Sequence, residues 1–119
     1  MMRPAETAVV RLCREPVDMR KSIDGLSVLV EQELELDPFA AQLFVFSNRR
    51  RDKLKILYWD RSGFALWYKR LEKARFPWPQ TTHDAAVISL TGRELGWLLD
   101  GIDFFRLAPH ETLKYRAVS

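Results

Sequence analysis

The chain has 119 residues, of which 47% are hydrophobic and 29% charged, with one cysteine and a formal net charge of +3. That composition excludes an intrinsically disordered chain, and the single Cys13 excludes an internal disulfide. No apolar run approaches the ~18 residues needed to cross a bilayer, and the N-terminus lacks the segments of a signal peptide, so one domain spanning residues 1–119 in the cytoplasm is expected.

Residues 7–14, TAVVRLCR, read as a first strand that Pro16 interrupts. Asp18 is placed to cap a helix starting near Met19. Met19, Ile23, Leu26, Val30 and Leu34 then recur at helical spacing, with Glu31 and Glu35 on the opposite face. The pair DP at 37–38 ends that helix, because the residue before proline disfavours helical backbone. LFVFS at 43–47 is a continuous apolar strand, and NRRRD at 48–52 is a turn. KLKILYWD at 53–60 puts Leu54, Ile56 and Tyr58 on one face and Lys53, Lys55, Leu57 and Trp59 on the other. RSG at 61–63 turns the chain into a third strand, 63–72. FPWPQTTHD at 76–84 is an extended loop, and VISL at 87–90 a short edge strand. Thr91 and Glu94 form a capping box for a helix carrying Leu95, Leu98 and Leu99, with Gly101 as its stop. Residues 102–119 are expected to wrap the surface. The order predicts an α+β fold: an antiparallel meander of four to five strands packed with two helices.

The charge is unevenly placed. Residues 1–47 have a net charge of −3 and residues 76–119 of −1, whereas residues 48–75 carry ten basic and three acidic side chains, net +7. A local field of this kind points to a polyanionic partner. The candidate contacts are Arg49, Arg50 and Arg51 in the turn, Lys53 and Lys55 on one strand face, Arg61, and Lys69, Arg70, Lys73 and Arg75 at and beyond the end of the third strand. Arg20 and Lys21 lie at the predicted helix start, where free backbone N–H groups favour anions and where Asp24 is an ion-pair partner. Tyr58, Trp59, Trp67 and Tyr68 interleave with the cations. They suit either a core or a stacking platform for single strands, while a basic ribbon suits a major groove. Charge reversal at Arg49, Arg50 and Arg51 is expected to weaken DNA binding without unfolding the domain.

Catalytic signals are weak. Asp18, Asp24, Asp60, Asp100 and Asp103 show no metal-ligand spacing, His83 and His110 fall in loop-like segments, and Cys13 suits a buried strand. There is no phosphate-cradling glycine loop and no nucleophile elbow. No cofactor or metal is expected.

Three blocks, VDMRKSIDGLSVLV at 17–30, the run at 37–79 and LLDGID at 98–103, resemble the second-frame accessory protein of IS66-type bacterial insertion sequences, often called TnpB. The much larger RNA-guided nuclease of the same name carries a carboxylate site that has no counterpart here. The matching positions include Asp18, Met19, Arg20, Lys21, Asp24 and Gly25, and then Arg49, Arg50, Lys55, Trp59, Asp60, Gly63, Lys69, Arg70, Leu71, Phe76 and Pro79. Ser22, Ile23 and Ala74 depart from the family pattern. The resemblance implies a non-catalytic accessory factor in transposition of a mobile element, the chemistry belonging to a separate transposase. The expected partners are duplex DNA at the element's ends, the transposase and another accessory protein, with no membrane. The competing expectation is a protein–protein adaptor that docks on the transposase without touching DNA.

Overall fold

The computed structural model describes residues 4–79 and 85–107. Its strands are β1 (Val9–Cys13), β2 (Leu43–Ser47), β3 (Lys53–Asp60), β4 (Gly63–Arg70) and β5 (Val87–Thr91). The helices are α1 (Ile23–Val28), which runs on as a π-helical turn over Leu29–Glu33, then α2 (Gly92–Leu99) and α3 (Phe104–Leu107). The α+β expectation holds. One five-stranded sheet has the order β4-β3-β2-β1-β5. β2, β3 and β4 form the antiparallel meander, and β5 pairs antiparallel with β1. β1 and β2 run parallel, Val10 opposite Leu43 and Leu12 opposite Val45. A parallel pair needs a crossover, and the α1 segment supplies it.

Both faces of the sheet are covered. Val10, Leu12, Val45, Leu54, Ile56, Ile88 and Leu90 pack with Leu95, Leu98, Leu99, Phe104 and Phe105 from α2 and α3. Cys13, Phe44, Phe46 and Leu57 point the other way and meet Leu26, Leu29 and Val30. This two-sided burial explains why LFVFS is apolar without alternation: successive side chains enter two different cores.

The first helix starts later than its sequence suggests. Its N-cap is Ser22, which makes no side-chain cap hydrogen bond. Asp18 instead closes a turn, accepting from the Arg20 backbone N–H at 2.9 Å and, through its carbonyl, from the Lys21 N–H at 3.1 Å. The physical reason lies across the sheet. The Val17 N–H donates to the Ser47 carbonyl at 2.9 Å, and the Lys55 ammonium donates to the carbonyls of Met19 and Lys21, each at 2.7 Å. In a helix those carbonyls would have accepted from residues 23 and 25. At the other end the helix stops before the DP pair: Glu35 takes φ 55°, and the Leu36 N–H reaches back to the Val30 carbonyl at 3.0 Å.

The second helix forms as its capping box predicts, with Glu94 N–H donating to Thr91 Oγ1 at 3.1 Å and Thr91 N–H to Glu94 Oε1 at 2.9 Å. Gly101 ends it at φ 82°. The short α3, which buries Phe104 and Phe105, is an addition to the predicted elements. The expected course of residues 108–119 lies outside the described residues, as do 80–84 of the predicted loop. No helix among the described residues is long and apolar enough to cross a membrane.

Gly92 opens α2 where the N-terminal segment passes over it. A Cβ there would stand 1.7 Å from the Ala5 carbonyl oxygen. Gly92→Ala is therefore expected to cost about 1–3 kcal/mol, the range for overpacking a filled site. The loss of the Gly92 N–H to Ala8 carbonyl bond, 3.0 Å long, should accompany it. Chemical denaturation checks this; an unchanged midpoint would mean residues 4–8 do not pack there.

Candidate nucleic-acid interface

The turn between β2 and β3 is built by Asn48. Its side-chain oxygen accepts from the Lys53 N–H at 3.1 Å, its amide donates to Asp52 at 2.6 Å, and its carbonyl accepts from the Arg51 N–H at 3.2 Å. The Asn48 hydrogen bond holds the Asp52 carboxyl below its ordinary pKa. Sequence reasoning passed over Asn48, although asparagine opening a short turn is the signal for such side-chain-closed geometry.

This geometry divides the three arginines. Arg49 and Arg50 are exposed. Arg50 has only a 3.9 Å contact with Asp52, and Arg49 makes no ion pair or hydrogen bond among the described residues. Arg51, at φ 60°, turns inward. Its Nη2 donates to the Arg14 carbonyl at 3.2 Å and its guanidinium lies 4.6 Å from the Trp78 ring centre. Trp78 Nε1 donates to the same carbonyl at 3.0 Å. Partial burial pushes the Arg51 pKa down, and Nη1 is buried without a partner among the described residues.

The strand lysines divide in the same way. Lys53 and Lys55 share a face of β3, but the Lys55 ammonium is spent on the two carbonyls before α1. Lys53 lies directly opposite Arg70, and like charges opposed across a sheet destabilise it. Arg70 relieves part of this by pairing with Glu72 at 3.0 and 3.2 Å, which raises the arginine's pKa. Lys69, on the other face, points its ammonium at the Leu99 carbonyl, 3.4 Å away at the end of α2.

Arg20 is clamped by Asp18, not Asp24: Nη2 stands 2.8 Å from Oδ2 and Nε 3.1 Å from Oδ1. The Arg20 side-chain hydrogen bonds lower the Asp18 pKa to about 2. Together the Val17–Arg20 segment, Asn48, Arg49, Arg50, Lys53 and Tyr68 line an open groove of about 470 Å³. Lys73 and Arg75 reach the same end of the sheet, because Leu71 N–H donates to the Asp52 carbonyl at 2.8 Å and Phe76 N–H to the Arg51 carbonyl at 2.7 Å. Lys21 lines a separate cleft of about 300 Å³ with Glu15 and Glu33. Arg61 sits in the β3–β4 turn, at the far end of strands roughly 24 Å long.

The aromatics also separate. Trp59 and Phe64 pack edge-on at 5.0 Å, with Phe39 5.1 Å from Trp59. Tyr58 and Trp67 lie against the α2 core. Tyr68 alone of the four interleaved rings is exposed, at 48%. Cys13 is buried, which pushes its thiol up to about 11 and keeps it a neutral core group. No three His, Cys, Asp or Glu side chains among the described residues come together where they could hold a metal ion. His83 and His110 lie outside those residues.

Two uncharacterized proteins of Sinorhizobium fredii are similar along nearly the whole chain. One, y4jC, is 34% identical over 107 residues, 90% of either chain. The other, y4hO, is 33% identical over 112 residues, 94% of either chain. No solved structure matches. The family described as IS66 Orf2 like protein matches residues 8–109, which takes in every strand and helix described above. The chain belongs to that family of IS66 Orf2-like proteins, accessory to transposition of insertion sequences.

Proposed function

We propose that the protein is a non-catalytic accessory factor that binds DNA at the ends of its mobile element, beside a separate transposase. The observation that carries this reading is the groove at one end of the sheet, where Arg49, Arg50 and Lys53 converge without strong ion pairs among the described residues. Cations held together this way repel one another, and Lys53 opposite Arg70 is a direct cost to the sheet. A phosphate backbone relieves that repulsion, supplying affinity without sequence information. Arg20, Arg70, Lys73 and Arg75 border the groove end and extend the positive surface. Lys55, Lys69 and Arg51 support it from within the fold, and Lys21 and Arg61 lie apart from it.

Fluorescence anisotropy against labelled duplexes, titrated at several salt concentrations, tests the reading. Groove binding by Arg49, Arg50 and Lys53 predicts that log K falls against log[salt] with a slope of about −2.7 or steeper, at about −0.9 per phosphate. A terminal-repeat duplex and a scrambled one separate sequence readout from backbone contact. No binding at low salt would sink the proposal.

One observation favours the adaptor reading. Phe39 is 53% exposed and caps the Trp59–Phe64 cluster on the α1 side of the sheet. An apolar surface of that kind suits a protein partner. Retention of transposase after nuclease digestion, together with no DNA binding, would select this role.

A further inference from the structure

The groove holds one side chain that phosphate binding does not explain. Tyr68 stands on β4, the edge strand of the sheet, with Lys55 opposite it on β3. The Lys55 ammonium lies 5.5 Å from the ring centre. Among the described residues no strand pairs with the outer side of β4, and the ring is 48% exposed. A large aromatic in this position gains little from burial. It lines the same groove as Arg49, Arg50 and Lys53, whose volume of about 470 Å³ lies within the range that takes small planar ligands. The one carboxylate on the groove wall, Asp18, is already held by Arg20 at 2.8 Å.

An exposed ring set among cations is the arrangement that stacks nucleobases of a single strand while the cations hold its phosphates. In a duplex interior the base faces are occupied by neighbouring pairs, so only an unpaired base offers one to Tyr68. We propose that the groove receives an unpaired nucleotide at a DNA strand end, its base stacked on Tyr68 and its flanking phosphates on Arg49, Arg50 and Lys53. This rests on the DNA-binding reading above and narrows it from duplex backbone to a frayed or single-stranded terminus.

The test compares three labelled DNAs in the anisotropy assay: a blunt duplex, the same duplex with a short single-stranded overhang, and the same overhang made abasic. The abasic form keeps every phosphate and removes only the bases. The expected result is an overhang advantage of about five- to a hundredfold over blunt, the range for one stacked base. That advantage should vanish with the abasic overhang and with Tyr68→Leu, and survive Tyr68→Phe. Equal binding to blunt and overhang DNA, or an advantage that persists without bases, overturns the stacking proposal and leaves the phosphate groove standing. Failure to bind any of the three overturns both. The abasic comparison is made on the unaltered protein, so it decides the matter even if a Tyr68 variant folds poorly.

Discussion

Arg49→Glu combined with Arg50→Glu is expected to lower duplex affinity about sixtyfold or more at about 0.1 M salt, with the fold intact. Each phosphate contact contributes a slope of about −0.9 in log K against log[salt], equivalent to about eightfold at that concentration. Two lost contacts multiply to the stated figure, and reversed charge adds to it. The salt slope should flatten by about 1.8. Stability should hold, because both side chains are exposed and the Arg50–Asp52 contact is 3.9 Å long, a geometry worth little in water. Arg51 must be left in place. Reversing all three arginines would set a carboxylate against the Arg14 carbonyl and the Trp78 ring that now hold the guanidinium. The expectation that the triple reversal leaves the domain folded therefore gives way to the double variant. Parallel salt titrations of the two proteins check the prediction; an unchanged slope in the folded double variant would remove the turn from the DNA interface.

Lys55→Met is expected to act in the opposite way, on stability more than on charge. The ammonium bonds two backbone carbonyls at 2.7 Å, and methionine keeps the stem while deleting both bonds. Hydrogen bonds to a charged group contribute about 1.5–3 kcal/mol, and the carbonyls of Met19 and Lys21 would lose their donor. A loss of about 3 kcal/mol is expected, which lowers Tm by roughly 10 °C for a chain of this size. DNA affinity should fall modestly, because the Val17–Arg20 wall of the groove loses its tie to β3. The salt slope should stay as it is, since the Lys55 ammonium is already held by two carbonyls. Thermal denaturation beside the same titration distinguishes the cases. A stable variant with a flatter slope would make Lys55 a DNA contact after all.

These two variants mark the boundary between local and distant information. The strands at 43–47 and 53–60, the turn at 48–52, the capping box at Thr91 and the stop at Gly101 were legible because each depends on residues within a few positions of one another. The concentration of charge in 48–75 was legible for the same reason. Asp18 misled because its capping signal is local, whereas the carbonyls of the segment it would have capped are taken by Lys55, more than thirty residues away. The parallel pairing of β1 with β2 escaped because two short apolar strands carry no mark of their relative direction. Only the crossover of α1 sets it.

Chain order and composition thus established that residues 48–75 are basic, that they lie mainly on strands and turns, and which face each residue of 53–59 takes. They left open which cations are free. Lys55 is bound by Met19 and Lys21, Lys69 by Leu99 and Arg51 by Arg14, all partners at least thirty residues distant. A backbone carbonyl accepts from any donor that packing brings within reach, so nothing in its residue type announces the bond. The same holds for the rings: Tyr58, Trp59, Trp67 and Tyr68 alternate alike along their strands, and only Tyr68 stays exposed, because Trp67 beside it on β4 turns to the α2 core while Tyr68 takes the other face, past Phe64 and Leu66, the β4 side chains that pack into the α1 cluster.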